Sequence, residues 1–269
     1  MHAYVINLAR SPDRRAHIVA ELQRTGLTYE FIDAVDGRNL DLDDTTLVDP
    51  VLIARYSFPA GTAGCSLSHL SAYKKILADG FEHALILEDD IALPTDLNEL
   101  AEDLASHMTG AEVALLNYAS CPPGPLRIGS MGSVELSSSR LFALPIDVRQ
   151  LVNSGAYVIT REACERTIEH LLPIRAAADD WHFFYDQGFF DRIRCVLPQP
   201  VPKSPQFEST IGLYSLGNGF KARLVGPLVR HKIPGIHQAL TYRRQRIMRT
   251  WDRIEVVDQP FVEKPSRLG

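Results

Sequence analysis

The sequence contains no hydrophobic run that approaches the roughly 20 residues needed to span a membrane, and its mean hydropathy is −0.07. The opening residues, MHAYVIN, include no Lys or Arg and no extended apolar stretch, so they do not resemble a secretory signal peptide. We therefore expect a cytoplasmic protein, whose contact with the inner face of the cytoplasmic membrane would be peripheral.

Cysteine is scarce as well. The 269 residues include four cysteines, and no two have the close spacing typical of zinc or redox motifs. A disulfide framework is therefore excluded, and we expect small buried or semi-buried thiols. Hydrophobic residues make up 45% and charged residues 23% of the chain, which is typical of a globular protein and excludes a disordered, collagen-like or coiled-coil chain.

Positive charge is scarce over most of the chain and concentrated near its end. The formal net charge is −5, but residues 1–220 carry −12 and residues 221–253 carry +8. We expect one domain over 1–220 and a basic C-terminal region over 221–269. The basic stretch could bind an anionic membrane surface or an anionic acceptor, or form a solvated helical face or part of the active site. Nucleic acid is not an expected partner, because the acidic domain would repel it.

Hydrophobic periodicity predicts alternating strands and helices. The chain opens with a predicted strand, a helix that begins at Ser11-Pro12-Asp13 with Ser11 as its cap, and a second strand. Further predicted elements are helices over 64–78 and 161–172 and strands over 84–87, 113–117 and 155–160. Residues 120–140 are expected to form a long loop or lid, and 198–220 an irregular segment. This order favours an α/β fold with a mostly parallel central sheet.

Three consecutive carboxylates follow the predicted strand over 84–87: Glu88, Asp89 and Asp90. Ligands of open α/β sheets bind beyond the carboxyl ends of strands. Because side chains alternate along a strand, Glu88 and Asp90 would share one face. They could hold a hard cation, Mn²⁺ or Mg²⁺, which would in turn bind a diphosphate. The alternative is a solvated acidic loop.

Two other segments carry candidate chemistry. The segment GCSLSHL, residues 64–70, opens a predicted helix whose free N–H groups suit a phosphate, although an ordinary helix start and a structural His69 are also possible. Asp179 and Asp180 precede an aromatic run, and a carboxylate there could act as a general base. The aromatic side chains could stack on a sugar ring or belong to the core.

Several sequence blocks together resemble glycosyltransferase family 25, the lipooligosaccharide galactosyltransferase family. They are YVINLARSPDRR (4–15), FIDAVDG (31–37), GCSLSHLSAYKKI (64–76), ALILEDD (84–90) and GAYVITREA (155–163). The resemblance implies a GT-A-like, Rossmann-related nucleotide-sugar-binding fold and an inverting transfer of a hexose. The implied donor is a UDP-sugar, typically UDP-galactose, and the implied acceptor is lipopolysaccharide, lipooligosaccharide or another surface glycan. The resemblance also implies a divalent metal, Mn²⁺ or Mg²⁺, at a DxD-type motif.

The resemblance assigns roles to individual residues. Glu88 and Asp90 would bind the metal, and Asp180 or Asp179 would be the catalytic base. The expected donor-binding residues are Asn7, Arg10, Arg14, Asp36, Gly37, Ser68, His69, Lys74 and Asp89. The sequence departs from the family at AAADDW, residues 176–181, so the choice between Asp179 and Asp180 stays open.

Two other functions compete with a transferase. A sugar-nucleotide nucleotidyltransferase would also use acidic residues at a strand end, but it normally carries a glycine-rich N-terminal signature, and residues 1–20 contain no glycine. A catalytically inactive family member acting as a binding module is the other alternative, and the intact acidic triplet disfavours it.

Overall fold

The structure is a computed structural model that describes residues 1–56, 58–121, 125–207 and 254–257. Most of the predicted basic region, and with it the proposed boundary at residue 220, lies outside the described residues. Among the helices that are described, none combines the length and the apolar character that crossing a bilayer requires.

Twelve strands and six α-helices make up the described part of the chain. The strands are β1 (His2–Asn7), β2 (Thr28–Asp33), β3 (His83–Glu88), β4 (Glu112–Leu115), β5 (Ala119–Ser120), β6 (Leu126–Gly129), β7 (Val134–Glu135), β8 (Leu141–Ala143), β9 (Leu151–Val152), β10 (Ala156–Thr160), β11 (Arg192–Leu197) and β12 (Ile254–Val257). The helices are α1 (Pro12–Leu22), α2 (Pro50–Tyr56), α3 (Ala60–Asp79), α4 (Leu97–His107), α5 (Arg161–His170) and α6 (Trp181–Asp186). Short 3₁₀ helices span Gly37–Asn39 and Val148–Gln150.

An eight-stranded sheet forms the centre of the fold, in the order β2-β1-β3-β10-β4-β11-β8-β7. The pairs β1–β2, β1–β3 and β4–β11 are parallel. Strands β10 and β8 run against their neighbours. The α/β class and the mostly parallel direction of the sheet are therefore confirmed. The antiparallel β10 at its centre was not predicted.

Apolar side chains cover both faces of this sheet. On β1, Tyr4 and Ile6 belong to one buried cluster, which includes Leu70 and Ile76 of α3. Val5, which points the other way, belongs to a second cluster that includes side chains of α1 and α4, among them Ile18, Leu22, Leu97 and Leu104. The central strands β1, β3, β10, β4 and β11 are buried on both faces, as expected for a helix–sheet–helix arrangement.

Strand β10 brings a loop to the carboxyl end of β3. Because the two strands are antiparallel, with Ala156 opposite Leu87, the beginning of β10 lies beside the end of β3. The backbone N–H of Glu88 donates to the carbonyl of Gly155 at 2.8 Å. Residues 153–155 therefore border the site that the acidic triplet was predicted to form.

Several local predictions are wrong. Helix α1 does begin at Pro12 with Ser11 at its N-cap position, but the Ser11 side chain makes no capping hydrogen bond. The segment 120–140 contains β6 and β7, and its Leu126 and Ile128 are buried, so the described part of it packs on the domain and is not a lid. The side chain of Cys121 is exposed rather than buried. The prediction of an irregular segment is confirmed in its described part, because residues 198–207 contain no helix or strand.

Candidate functional site

A cavity of about 270 Å³ opens beyond the carboxyl ends of β1, β2 and β3, beside the first turn of α3. This is the edge of an open α/β sheet at which ligands bind. The structure brings most of the predicted donor and metal residues to this cavity, and those that line it are Arg10, Arg14, Asp36, Gly37, Ser68, His69, Glu88 and Asp89. Asn7 lies between two lining residues and contacts Asp89.

The acidic triplet does not continue the strand. Strand β3 ends at Glu88 and the chain turns at residues 89–90, so the prediction that Glu88 and Asp90 share one strand face is wrong. Asp89 accepts hydrogen bonds from Asn7 Nδ2 at 2.7 Å and from Arg14 Nη1 at 3.0 Å. Burial raises the pKa of Asp89, although both of these contacts act against that rise.

Asp90 is held between two cations. Its Oδ2 lies 3.0 Å from Lys203 Nζ and 3.4 Å from Arg14 Nη1, and its side chain is 9% exposed. The backbone N–H of Ser204 also donates to the carbonyl of Asp90 at 2.8 Å. Sequence reasoning missed Lys203, because nothing near it in the sequence indicates that its segment returns to the acidic turn.

Glu88 has a different environment. Its Oε1 accepts a hydrogen bond from Ser154 Oγ at 2.8 Å and lies 3.5 Å from His69 Nε2. Burial by itself would raise the pKa of Glu88, but the contacts with His69 and Ser154 outweigh it, and the pKa is lowered. Cys65 is next to this pair: one ligand atom each of Cys65, His69 and Glu88 all lie within 4.8 Å of one another.

The predicted phosphate site on the helix start lies one turn away from its predicted place. Helix α3 begins at Ala60, after Pro59, so Gly64 belongs to its second turn and its N–H is not at the free end of the helix. The first turn of α3 does face the cavity, and its residues Ala60 and Gly61 line it. Its positive dipole end is suited to an anion.

Ser68 links α3 to the segment that follows β2. Its Oγ donates to the carbonyl of Gly64 at 2.6 Å and accepts the N–H of Val35 at 2.8 Å. A Cβ on Gly64 would lie 2.5 Å from the carbonyl oxygen of Val35. The small residues of the GCSLSHL block therefore allow α3 to pack closely against the segment after β2.

Two arginines at the rim of the cavity converge on one carboxylate. Arg10 Nε lies 2.8 Å and Arg38 Nη2 lies 2.6 Å from Asp36 Oδ2. The hydrogen bond from Arg38 holds the pKa of Asp36 well below its usual value. With Arg14, three guanidinium groups line the cavity, which favours an anionic ligand.

The two carboxylates of the second acidic pair, Asp179 and Asp180, lie in different environments. Asp179 Oδ2 accepts the N–H of Asn153 at 3.1 Å, and burial raises the pKa of Asp179, with a further contribution from nearby Glu88. Asp180 Oδ1 lies 2.6 Å from His182 Nδ1. Burial also raises the pKa of Asp180, and His182 acts against that rise. Asp179 is thus the member of the pair that lies toward the cluster of Cys65, His69 and Glu88.

The aromatic run after this pair mainly serves the core. Trp181 and Phe184 are buried, and Trp181 Nε1 donates to the carbonyl of Asn153 at 2.9 Å. This hydrogen bond fixes the loop whose N–H contacts Asp179. Phe183 is partly buried and packs against the same cluster.

Lys74 is not brought to the site. It is exposed on α3 and does not line the cavity. It follows Cys65 by nine residues on this helix, which places it roughly 13 Å further along the axis. Sequence reasoning also missed Cys65, Asn153 and Ser154, although the i, i+4 spacing of Cys65 and His69 was a readable signal.

Residues 1–124 match the family model described as Glycosyltransferase family 25 (LPS biosynthesis protein). This match confirms the family resemblance, and it contains every residue that lines the cavity. Asp179, Asp180 and Lys203 lie beyond it.

Curated relatives match over parts of their length. A "Glycosyltransferase 25 family member" of Aedes aegypti is 38% identical over 97 residues, which cover 34% of this chain and 16% of the relative. "Inactive glycosyltransferase 25 family member 3" of Mus musculus is 32% identical over 108 residues, or 38% of this chain and 18% of the relative. "Lacto-N-neotetraose biosynthesis glycosyltransferase LgtE" of Neisseria meningitidis is 33% identical over 105 residues, which cover 38% of this chain and 37% of the relative. The matched region therefore spans well under half the length of each relative.

Among solved structures, S. aureus TarS 1-349 aligns with a TM-score of 0.43 and 13% sequence identity, over 76% of this chain and 60% of that one.

Proposed function

We propose that this chain is an inverting glycosyltransferase that moves a hexose, galactose first among the candidates, from a UDP-sugar to a glycan acceptor such as lipopolysaccharide or lipooligosaccharide. The observation that carries the proposal is the cavity at the carboxyl edge of the sheet, where three arginines and the acidic turn meet. This cavity lies entirely within the region that matches the family model.

The positively charged wall of the cavity is the proposed binding site of the donor diphosphate. Arg10, Arg14 and Arg38 supply positive charge, and the first turn of α3 adds backbone N–H groups and the helix dipole. Asn7 and Arg14 hold Asp89 in place. Charge that develops on the departing UDP would be stabilised by these fixed donors.

A divalent metal fits the Glu88 side of the site better than the Asp90 side, although the ligands beside Glu88 are not the all-oxygen set that suits Mg²⁺. Asp90 is already paired with Lys203 and Arg14, whereas Glu88 lies beside two other metal-ligating side chains. Glu88 would thus hold the metal, and a bound cation would supply positive charge to the leaving diphosphate.

Asp179 is the proposed general base. Its carboxylate would take the proton of the acceptor hydroxyl as that oxygen attacks the anomeric carbon, and the bond from that carbon to the UDP oxygen would break in the same displacement. Its raised pKa, caused by burial and by Glu88, brings the base closer to neutral pH, where a general base is most effective. Asp180 would instead hold the imidazole of His182, whose Nδ1 lies 2.6 Å from Asp180 Oδ1.

The basic stretch over 221–253 is proposed to bind the acceptor or the membrane that carries it. Its charge of +8 is suited to an anionic glycolipid or to the inner membrane leaflet, where each Lys or Arg contributes up to about 1 kcal/mol. Flotation with anionic vesicles tests this role, and the full chain is expected to float while a chain shortened after residue 220 does not. Equal flotation of the two chains would rule the role out.

The catalytic proposal is tested with a donor screen. UDP-galactose, UDP-glucose and the two UDP-N-acetylhexosamines are supplied to the full chain with a lipooligosaccharide acceptor, and release of UDP and transfer of sugar are both measured. Transfer from one donor is expected, accompanied by slow UDP release without acceptor. Asp179→Asn is the matched variant and is expected to bind UDP but to turn over about 10²- to 10⁴-fold more slowly.

Because one matched relative is named as inactive, binding and turnover are measured separately. A chain that binds UDP but releases no product with any donor would instead be a binding module. Formation of a UDP-sugar from UTP and a sugar 1-phosphate would indicate the nucleotidyltransferase.

A further inference from the structure

Three metal-ligating side chains of different chemistry meet on the wall of the cavity. Cys65 and His69 are one turn apart on α3, Glu88 ends β3, and all three line the cavity. Their ligand atoms lie within 4.8 Å of one another. Ligands of a tetrahedral zinc ion, with bonds of about 2.0–2.3 Å, lie about 3.5 Å apart, so small side-chain rotations would bring this set into contact with one ion.

His69 points a buried ring nitrogen into this cluster, toward Glu88. The side chain is 2% exposed, and its Nδ1 lies 2.7 Å from Tyr157 Oη. Its Nε2 is buried and lies 3.5 Å from Glu88 Oε1, but it makes no hydrogen bond within the part of the chain that the structure describes. A buried polar nitrogen without a partner is costly. Histidines that bind metals usually donate their other ring N–H to a neighbouring group, which fixes the ring, and Tyr157 is placed to accept it.

The charges around the cluster also favour a cation. The carboxylate of Glu88 is close enough to act electrostatically on the carboxylate of Asp179. Neither forms an ion pair with a described Lys or Arg, whereas Asp89 and Asp90 both pair with Arg14. A divalent ion at the cluster would offset this local excess of negative charge.

We propose that Cys65, His69 and Glu88 bind a thiophilic divalent cation, Zn²⁺ or its spectroscopic substitute Co²⁺, in preference to Mg²⁺. A thiolate and an imidazole are ligands that zinc and cobalt prefer, whereas magnesium requires oxygen ligands. Three protein ligands would leave one coordination position for a further ligand. All three residues line the cavity of the proposed donor site. The binding itself needs neither donor nor turnover, so its test is independent of glycosyl transfer.

The experiment is a Co²⁺ titration of the metal-free full chain, followed by absorption spectroscopy. One equivalent is expected to produce the near-ultraviolet sulfur-to-cobalt charge-transfer band together with the visible bands of tetrahedral cobalt. Added Zn²⁺ is expected to displace the cobalt, and a large excess of Mg²⁺ is not. Cys65→Ser is expected to lose the charge-transfer band, while the control Cys121→Ser, at an exposed thiol outside the cluster, keeps it.

A second measurement uses the wild-type chain and does not depend on how the variant folds. Alkylation by iodoacetamide is mapped by mass spectrometry with and without Zn²⁺. Zinc is expected to slow the alkylation of Cys65 at least tenfold and to leave Cys121 unchanged. Absence of a charge-transfer band in the wild type, its persistence in Cys65→Ser, or equal alkylation of Cys65 with and without zinc would each overturn the proposal.

Discussion

Asn7 Nδ2 donates a hydrogen bond to Asp89 Oδ2 over 2.7 Å, and both side chains are buried. The bond joins the end of β1 to the turn after β3, so it fixes the acidic turn relative to the arginines on the other side of the cavity. Arg14 completes the arrangement at 3.0 Å from the second oxygen of Asp89.

Asn7→Ala is expected to lower the free energy of unfolding by about 1–3 kcal/mol, because it leaves a buried carboxylate oxygen without its donor. Urea unfolding followed by circular dichroism measures the change. Asn39→Ala is the matched control, since Asn39 is exposed, and it is expected to change stability by less than about 0.5 kcal/mol. Equal stability of the two variants would remove the proposed role of Asn7.

Gly37 and Gly61 form a second matched pair. A Cβ on Gly37 would lie 2.0 Å from the carbonyl oxygen of Ala60, whereas a Cβ on Gly61 meets nothing within 4 Å. Gly37→Ala is therefore expected to destabilise the fold by about 1–3 kcal/mol. Gly61→Ala should be neutral or stabilising by up to about 1 kcal/mol, because alanine lowers the entropic cost of the helix. Thermal unfolding of both variants checks the contrast.

The rim arginines allow a direct test of the anion site. Arg38 follows Asp36 in a 3₁₀ turn, and Arg149 follows Asp147 in a turn of the same kind. Both guanidinium groups are mainly exposed and both pair with their aspartate, but only Arg38 lines the cavity.

Arg38→Ala is expected to weaken UDP binding about fivefold, the equivalent of about 1 kcal/mol for an exposed charge contact. Arg149→Ala is expected to have no effect. Isothermal titration with UDP at low and high salt measures both, and the difference between the variants should shrink as salt increases. An equal loss in both variants would argue against a donor phosphate at this rim.

Asp179→Asn is expected to act in opposite directions on activity and stability. As the proposed general base, Asp179 contributes about 10²- to 10⁴-fold to turnover, so kcat should fall by that factor. Asparagine can still accept the N–H of Asn153. Asp180→Asn is the comparison, and a larger loss of kcat in that variant would transfer the role of base to Asp180.

The stability effect follows from the sign of the pKa shift. Burial raises the pKa of Asp179 above its unfolded value, so the folded chain binds this proton more tightly than the unfolded chain does. Stability is then lost as pH rises from the unfolded pKa to the folded pKa, and the loss persists above it. Asp179→Asn should therefore be more stable than the wild type at neutral pH and equal to it in acid, which thermal melts at several pH values can show.

The same shift predicts a pH profile. A base must be ionised to work, so kcat/KM of the wild type should fall on the acid side through an apparent pKa higher than that of a free aspartate. In Asp179→Asn this acid limb should be absent from the residual rate.

Local patterns in the sequence were enough to predict the α/β class, the opening strand–helix–strand unit and the acidic triplet at a strand end. These follow from hydrophobic periodicity and turn chemistry, which depend on near neighbours along the chain. Arg10, Arg14 and Gly37 were also placed at the site, because a parallel sheet brings the carboxyl ends of β1, β2 and β3 to one edge. Arg38, which also lines the cavity, was missed.

The partners of those residues were decided by tertiary structure. Only the antiparallel insertion of β10 brings Ser154 to Glu88, and only the return of residues 203–204 neutralises Asp90 with a lysine. The order of residues alone shows that Glu88, Asp89 and Asp90 stand at the strand end. The tertiary structure decided that Asp89 and Asp90 pair with cations while Glu88 faces Cys65 and His69, because electrostatic environment depends on contacts between segments far apart in the chain.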